Sequence, residues 1–372
     1  MQISKPKFVI MLGIAFVMGG FAIAGISHIG RSSVSIDENK LGEIREHIDR
    51  YYLDDYDEEQ LVEYAYKGFV AGLDDPYSSY MSKTEYESWK ASATGDYDGI
   101  GMTFTEDNNG RFVVLEVTAD SPAEKAGIKT GDYILTVDGE TFTGSDIMAA
   151  AIRGEAGTDV TVELLQGDVQ VSKKITRGHI VQKSVEYKML DNNTGYIQIS
   201  QFIDSTGDDF DKALKKLTEN GAASLILDLR DNGGGMVTEC VSVADQFLDE
   251  GPVCYVEDKN GSTETYDAED GKTDIPTVVL INENSASASE ILAAAMQDNG
   301  YILIGRNTFG KGVIQSTMEM DDGSALKLTV MQYLSPKKHV IQKKGIKPDI
   351  QIKDKEKTDA DEQLEKAKEQ FR

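Results

Sequence analysis

Short apolar runs alternate with longer segments of helical periodicity between residues 179 and 352. In chain order, the runs predict a strand at 196–199, a helix at 208–220, a strand at 224–229, a helix at 238–248, a strand at 277–281, a helix at 288–299 and a strand at 302–305. Strands separated by helices are typical of crossover units, in which the strands join one sheet and the helices cover it. This part of the chain is therefore predicted to be a layered α/β domain.

Two different patterns precede this domain. Leu41, Ile44 and Ile48 are spaced as on one face of a helix, and the segment 38–73 is predicted to form two amphipathic helices. The segment 97–178 instead shows short alternating runs separated by Gly- and Asn-containing turns, which predict a β-rich domain. The predicted organisation is a terminal segment 1–30, an N-terminal helical region 31–96, a β-rich domain 97–178, an α/β domain 179–352 and a charged tail 353–372.

The terminal segment is the most apolar part of the chain. Residues 8 to 30 carry no charge, and about 20 apolar residues suffice to cross the ~30 Å hydrocarbon core of a bilayer. Lys5 and Lys7 precede the segment, so the positive-inside rule places the N-terminus in the cytoplasm. We therefore expect a single-pass cell-membrane protein with an extracytoplasmic remainder. The alternative is a signal sequence cleaved near Ala22-Ile23-Ala24, which would release a secreted protein.

Composition and charge exclude several classes of function. The chain has 38 Lys and Arg against 64 Asp and Glu, a formal net charge of −26, which argues against nucleic acid as a partner. The two cysteines, Cys240 and Cys254, have neither zinc-ribbon spacing nor disulfide-scaffold density and are expected to be small buried hydrophobes. The four histidines do not share ligand spacing, so no metal site is predicted. The polar tail 353–372 fits either a solvated tail or an assembly helix.

Three serines follow a predicted buried strand and precede an apolar helix. Ser285, Ser287 and Ser289 lie in a strand-to-helix turn, where backbone amides and the positive end of the helix dipole favour a developing anion. Such a turn suits a nucleophile, but Ser287-Ala288-Ser289-Glu290 also reads as a helix capping box. The pattern alone does not choose among the three serines.

A lysine lies within reach of this turn. A helix of about 11 residues advances ~16 Å and the strand after it returns nearly as far, so Lys311 is expected beside the serines. In an extended segment Gln315 faces the same way as Lys311 and is placed to orient its amine. An ordinary lysine is protonated at neutral pH, but burial lowers its pKa and makes it a general base. The competing interpretation is an exposed lysine on a Gly-rich turn.

A Gly-rich turn follows the predicted strand 224–229 and is the third candidate motif. Successive backbone amides around Gly233-Gly234-Gly235 form a concavity that suits an oxyanion. The turn is not a phosphate-binding loop, because the arrangement Gly-x-x-x-x-Gly-Lys-Ser/Thr is absent. No nucleotide cofactor is therefore predicted.

The β-rich segment resembles a PDZ domain of the circularly permuted bacterial kind. The resemblance rests on Gly99-Ile100-Gly101-Met102, Ser121-Pro122-Ala123, Ala126-Gly127-Ile128, Gly131-Asp132 and Val137-Asp138-Gly139. PDZ domains bind a chain terminus as an added strand and receive its carboxylate on loop amides. The resemblance implies that Gly99, Ile100, Gly101 and Met102 form that loop; alternatively these glycines only permit a tight turn. Arg153 fits either a sensor of substrate docking or a solvated surface charge.

The three Gly- and Ser-rich motifs, in this order after a PDZ-like segment, resemble the C-terminal processing peptidases of the S41 serine peptidase family. The resemblance implies that Ser287 is the nucleophile, Lys311 the general base and Gln315 the residue that orients Lys311. It implies oxyanion donors from the backbone of Ala288 and of Gly234 or Gly235. The implied fold is a multidomain α/β protein, with a ClpP/crotonase-like protease core, an inserted PDZ domain and N-terminal helices.

The expected activity is that of a serine endopeptidase that selects protein or peptide substrates through an apolar C-terminus. It needs no cofactor, and the family resemblance makes a homodimer plausible. One alternative is an inactive PDZ scaffold that binds the C-terminal tails of envelope proteins. A second is an acyl-thioester-binding enzyme, against which the lack of a matching basic patch argues.

Overall fold

The computed structural model describes residues 38–107, 109–142, 144–269, 272–352 and 361–371. The described residues of the N-terminal region form three helices and one short strand: α1 Glu38–Tyr51, α2 Glu58–Ala71, β1 Ser79–Met81 and α3 Lys83–Thr94. Helix α3 begins at a capping box, in which the Ser82 hydroxyl accepts the Glu85 N–H and the Glu85 carboxylate accepts the Ser82 N–H. The loop between α2 and β1 leads directly to the candidate site described below.

The β-rich domain is a five-stranded antiparallel sheet with two short helices. Its elements, with the flanking ribbon strands β2 and β8, are β2 Asp96–Gly99, β3 Met102–Glu106, β4 Phe112–Val117, α4 Pro122–Lys125, β5 Tyr133–Val137, α5 Ser145–Ile152, β6 Asp159–Gln166, β7 Val169–Thr176 and β8 Gly178–Val181. The sheet order is β3-β4-β5-β6-β7, while β2 and β8 pair only with each other. Strand β3 is therefore an edge strand, and α5 packs beside it.

The described residues of the α/β domain form three helices and two sheets, one of which also includes β1. Its elements are β9 Val185–Leu190, a 3₁₀ turn Asp191–Asn193, β10 Thr194–Ile199, α6 Thr206–Glu219, β11 Ser224–Asp228, α7 Val237–Asp245, β12 Gly251–Asp258, β13 Thr263–Ala268, β14 Thr277–Ile281, α8 Ala288–Asp298, β15 Ile302–Gly305, β16 Val313–Glu319, β17 Ala325–Leu334 and β18 Ile350–Gln351. One sheet has the order β18-β15-β14-β11-β10-β9 and is parallel except for β9. The second sheet joins β1, β17, β12 and β13, with β16 on β17.

The main core lies where helices α6, α7 and α8 pack against the parallel sheet. Helix α6 buries Phe210, Ala213, Leu214 and Leu217, which recur at the spacing of one helical face. All five residues of β11 and of β14 are buried, as expected for parallel strands covered on both faces. The other face of the parallel sheet is covered by a helix near the C-terminus, described next.

The polar tail contains a helix that packs on the core. Helix α9 Glu362–Lys368, followed by a 3₁₀ turn Glu369–Phe371, contacts β14 and β15, and Ala367 is fully buried there. Arg230, two residues after the end of β11, donates to Asp361 at 2.8 Å and to the buried Asp228 at 2.6 Å. This ion-pair network ties the N-cap of α9 to the start of the triple-Gly turn. The described part of the tail is therefore not a solvated extension.

The location predicted from the sequence, that of a single-pass cell-membrane protein, is corrected by the structure. In residues 38–371, so far as they are described, no helix is long and apolar enough to span a bilayer. The terminal segment 1–30, on which the expectation of a cell-membrane anchor or cleaved signal rested, lies outside the described residues. The single-pass location predicted from sequence is therefore withdrawn.

Candidate active site

The candidate site forms where two neighbouring parallel strands end. Strand β11 leads into the triple-Gly turn and its neighbour β14 leads into the serine turn. Because carboxyl ends of adjacent parallel strands share one edge of a sheet, the two turns meet. The Ala286 N–H donates to the Asn232 carbonyl oxygen at 3.0 Å, and the Asn232 side chain donates to the Ile199 carbonyl at 2.9 Å. The fully buried Asn232 thus joins both turns to the end of β10.

The three serines have different surroundings. Ser285 Oγ donates to the Leu229 carbonyl at 2.7 Å, and Ser289 Oγ donates to the Asn232 carbonyl at 2.9 Å. Ser287 Oγ is buried and makes no hydrogen bond with any described residue. Its backbone has φ 59°, a strained conformation for a residue other than glycine that often marks a functional site. Two of the serines are therefore engaged in holding the turn, while the third presents an unpartnered hydroxyl.

The capping box predicted at Ser287 is only half formed. The Glu290 carboxylate accepts the Ser287 N–H at 3.0 Å. The Glu290 N–H, however, donates to the Ser287 carbonyl oxygen at 2.8 Å and not to its hydroxyl. Capping of α8 therefore does not occupy Ser287 Oγ.

Glu290 also accepts hydrogen bonds from residues 308–311, the lysine segment. Its Oε1 accepts the Thr308 hydroxyl at 2.5 Å and the Gly310 N–H at 2.7 Å, and its Oε2 accepts the Lys311 N–H at 2.8 Å. The carboxylate is fully buried, and burial raises the pKa of Glu290 while these bonds oppose that rise. One side chain thus brings the serine turn and the lysine segment together, as the distance argument from the sequence requires. Sequence reasoning treated Glu290 only as a capping residue, because its remaining partners are about 20 positions away.

Lys311 is a buried lysine with an altered acidity. Its side chain is 2% exposed, and its Nζ lies 5.1 Å from the centre of the Tyr77 ring. Burial is the main cause that lowers the pKa of Lys311 to about 8. Gln315 is also buried, and its amide donates to the Thr329 hydroxyl at 3.1 Å.

The buried Tyr333 bridges the same two segments from β17. Its hydroxyl contacts the carbonyl oxygens of Ser287, at 3.0 Å, and of Lys311. Neither Tyr333 nor Tyr77 was identified from the sequence, because each is remote in sequence from the motifs and belongs to a different strand or loop. Only the folded chain places these rings at the site.

The triple-Gly turn packs closely against the serine turn. A Cβ at Gly234 would lie 2.8 Å from Ser287 Cβ and 2.9 Å from the Ala288 nitrogen, so only glycine fits. The Gly234 N–H donates to Asn232 Oδ1 at 2.8 Å. The N–H groups of Gly235 and Ala288 make no hydrogen bond to a described residue. Of the two glycines predicted as oxyanion donors, Gly235 therefore has the available amide.

The residues of the loop predicted to bind a substrate terminus lie between the end of β2 and the start of β3. Ile100 and Met102 are buried, and Gly101 has φ 80° with its carbonyl accepting the Thr118 N–H at 3.0 Å. Arg153 is not a lone surface charge. It donates to the Ser88 hydroxyl of α3, its guanidinium lies 5.3 Å from the Tyr97 ring, and its Cγ is 3.8 Å from where a Cβ on Gly99 would lie.

The two cysteines are free and buried, as expected from their spacing. Within the part of the chain that the structure describes, no group of three or more His, Cys, Asp or Glu side chains is arranged to hold a metal ion.

Comparison with known proteins identifies three matching family models. Peptidase family S41 matches residues 193–352, the PDZ domain matches residues 99–176, and the Activating protease CtpB N-terminal domain matches residues 27–85. The carboxy-terminal processing protease CtpA of Bacillus subtilis is 38% identical over 357 residues, which cover 93% of this chain and 76% of that protein. A probable CtpA-like serine protease of Staphylococcus haemolyticus is also 38% identical over 357 residues, with 92% and 71% covered. Among solved structures, the photosystem II D1 C-terminal processing protease matches with a TM-score of 0.52 and 30% identity, over 84% of this chain and 86% of that one.

Proposed function

The chain belongs to peptidase family S41 and is a carboxy-terminal processing serine protease with a PDZ domain, and from this starting point we propose that Ser287 is its nucleophile and Lys311 its general base. The observation that carries the proposal is the contrast among the three serines: Ser287 alone has an unpartnered hydroxyl. The buried Lys311, joined to the same turn through Glu290, supplies the base.

The proposed reaction is acyl transfer in two stages. Ser287 Oγ attacks the scissile carbonyl carbon and its proton passes to Lys311 Nζ. The Ala288 and Gly235 N–H groups stabilise the oxyanion, and the Lys311 ammonium then protonates the leaving amine as the C–N bond breaks. Water, losing a proton to Lys311, attacks the resulting ester, and the Lys311 ammonium returns that proton to Ser287 Oγ as the ester bond breaks and the acid product leaves. With a pKa of about 8, roughly a tenth of the Lys311 amines are unprotonated at pH 7, against fewer than one in a thousand for an ordinary lysine.

The unpartnered Ser287 hydroxyl is consistent with this scheme. Catalytic hydrogen bonds are often long or absent without substrate and form in the substrate complex. Gln315, whose amide nitrogen is held by Thr329, offers its carbonyl oxygen as the group that orients Lys311.

Substrate selection is proposed to occur at the edge strand β3. An extended apolar C-terminus adds to β3 beside α5, with its carboxylate at the loop of residues 99–102 near Arg153.

We expect a quenched fluorescent peptide of about 20 residues that ends in three apolar residues to be cleaved at least tenfold more efficiently, in kcat/KM, with a free C-terminus than with an amidated one. Arg153→Ala should reduce that preference. Equal kcat/KM for the two peptides would contradict the proposed selection.

A homodimer is also proposed, with the N-terminal helices as its contact. Helices α1 and α2 and the loop between them expose large apolar side chains, among them Leu41, Ile44, Tyr52, Leu53, Leu61 and Phe69. Such a surface is typical of association sites. Analytical ultracentrifugation of residues 32–372 should give about twice the chain mass. If it gives the chain mass at micromolar concentration, the protein is a monomer and this part of the proposal is wrong.

A further inference from the structure

A second lysine lies close enough to Lys311 to affect its pKa. Lys327 is in β17, where its Cα pairs with Ser79 of β1 and with Thr317 of β16. Alternate residues of a strand share a face, so Lys327 lies on the same face as Thr329. Thr329 pairs with Gln315 and accepts its amide hydrogen bond at 3.1 Å. Lys327 therefore lies on the face of the sheet that carries Gln315, the proposed partner of Lys311.

A carboxylate from the N-terminal region acts on both lysines, because the Asp75 charge raises the pKa of Lys311 and of Lys327. Asp75 accepts the Tyr77 N–H at 3.1 Å and the Ser78 hydroxyl at 2.6 Å. Ser78 Oγ in turn accepts the Thr329 N–H at 3.0 Å, which fixes this loop on β17. The same loop brings the Tyr77 ring to Lys311. The surroundings of Lys311 thus include Lys327 of β17, Asp75 of the loop before β1 and Glu290 of α8.

The charged groups around Lys311 act in opposite directions. Burial and then the positive charge of Lys327 lower the pKa of Lys311, whereas Glu290 of α8 and Asp75 raise it. Burial also lowers the pKa of Lys327, and Asp75 opposes this. The other titratable neighbours are Tyr77 and Tyr333, and burial raises the pKa of both, so they stay neutral. Among the charged neighbours, Lys327 has the largest effect on Lys311 and is the one that favours the free amine.

We propose that Lys327 is a positioning residue that acts through Lys311: its positive charge, carried on β17 and balanced by Asp75, increases the fraction of Lys311 amines that are unprotonated. This inference rests on the proposed function, in which Lys311 is the base. A neighbouring cation is a known way to activate a lysine, because two ammonium groups at close range repel each other.

The test is the pH profile of kcat/KM between pH 6 and pH 10, measured on the free-acid peptide described above. The acid limb of this profile is the range in which kcat/KM falls as the pH is lowered. Lys327→Met should move the acid limb to higher pH and lower kcat/KM at pH 7 on the order of tenfold, with a rate near that of the parent at pH 10. Asp75→Asn should move the limb the other way, because it removes a negative charge from the pocket. Lys327→Arg keeps the charge and should restore the parent limb. Lys215→Met, an identical charge change at an exposed position of α6, should leave the limb in place.

Several results would overturn the inference. A uniform loss of rate at every pH in Lys327→Met would show a structural role only, and an unmoved limb would show no role. If Lys327→Met does not fold, Lys327→Gln, which keeps a polar side chain without the charge, takes its place, and an unmoved acid limb in that variant refutes the inference. Lys311→Met separates the two proposals: if that variant is as active as the parent, the proposed function fails, whereas an essential Lys311 with an unmoved Lys327→Met limb refutes only this inference.

Discussion

Lys311→Met should abolish proteolysis and at the same time make the protein more stable. Loss of the general base is expected to reduce kcat/KM by about 10³-fold or more. The gain in stability follows from the buried amine. A pKa lowered from 10.5 to about 8 means that the folded state disfavours the bound proton by about 3 kcal/mol. Methionine fills a similar volume without this cost, so we expect the free energy of unfolding at pH 7 to rise by about 2 to 3 kcal/mol.

The pH dependence of this gain distinguishes it from a packing effect. The folded pKa of Lys311 lies below the unfolded one, so the unfolded state binds a proton that the folded state resists. The penalty is complete below pH 8 and disappears as pH rises through 10.5. Equilibrium urea unfolding should therefore show the largest difference between Lys311→Met and the parent at pH 7, and a much smaller one near pH 10.5.

Ser287→Ala is the matched control for this experiment. It should abolish cleavage as completely as Lys311→Met but leave stability nearly unchanged, because Ser287 Oγ has no hydrogen-bond partner to lose. Cleavage that survives in Lys311→Met would mean that another group is the base. A parent protein that binds C-terminal peptides but cleaves none would favour the inactive scaffold.

Glu290→Ala should be the most damaging single change outside the proposed dyad. Four buried donors lose their acceptor: the N–H groups of Ser287, Gly310 and Lys311 and the hydroxyl of Thr308. Each orphaned buried donor costs about 1 to 3 kcal/mol, so we expect a loss of at least about 4 kcal/mol in the free energy of unfolding. Because the serine turn and the lysine segment are no longer tied together, kcat should also fall by about 10²-fold or more.

Glu290→Gln keeps the shape of the side chain and isolates its charge. One amide oxygen remains as an acceptor, so the variant should fold, with a smaller loss of kcat than Glu290→Ala. The Glu290 charge raises the pKa of Lys311, so its removal should move the acid limb of the kcat profile to lower pH. Glu239→Gln is the matched control, because Glu239 is a half-buried carboxylate of α7 that accepts the Gly207 N–H at 2.8 Å. Parent-like kcat and stability in Glu290→Ala would show that the two segments do not depend on this carboxylate.

The family, the fold class and the enzyme class were all predictable from the sequence, and the comparisons confirm them. Three of the strongest local predictions also agree with the structure: the strands at Thr277–Ile281 and Ile302–Gly305, and the helix predicted at 288–299, which the structure places at Ala288–Asp298. Their apolar runs are long enough, and the flanking turn residues specific enough, that local preference and tertiary packing favour the same conformation. The residues assigned to the dyad and to the oxyanion site stay predictions until the variants above are measured.

Tertiary structure decided the features that depend on partners distant in sequence. The pattern Ser287-Ala288-Ser289-Glu290 predicts a capping box, but the Glu290 carboxylate also accepts three donors near residue 310, which no local pattern encodes. The tail reads as polar, yet α9 buries Ala367 because Arg230 holds the N-cap residue Asp361 against the end of β11.

The pKa of Lys311 shows most clearly what the sequence determines and what only the folded chain determines. The sequence supplies a lysine in a Gly-rich segment and the requirement that it be buried. The fold alone supplies Tyr77, Lys327 and Asp75 around it, from a loop and a strand that are distant from Lys311 in the sequence. Local patterns determine which segments become strands and helices, whereas a pKa depends on burial and on charges through space, and these exist only once the chain is folded.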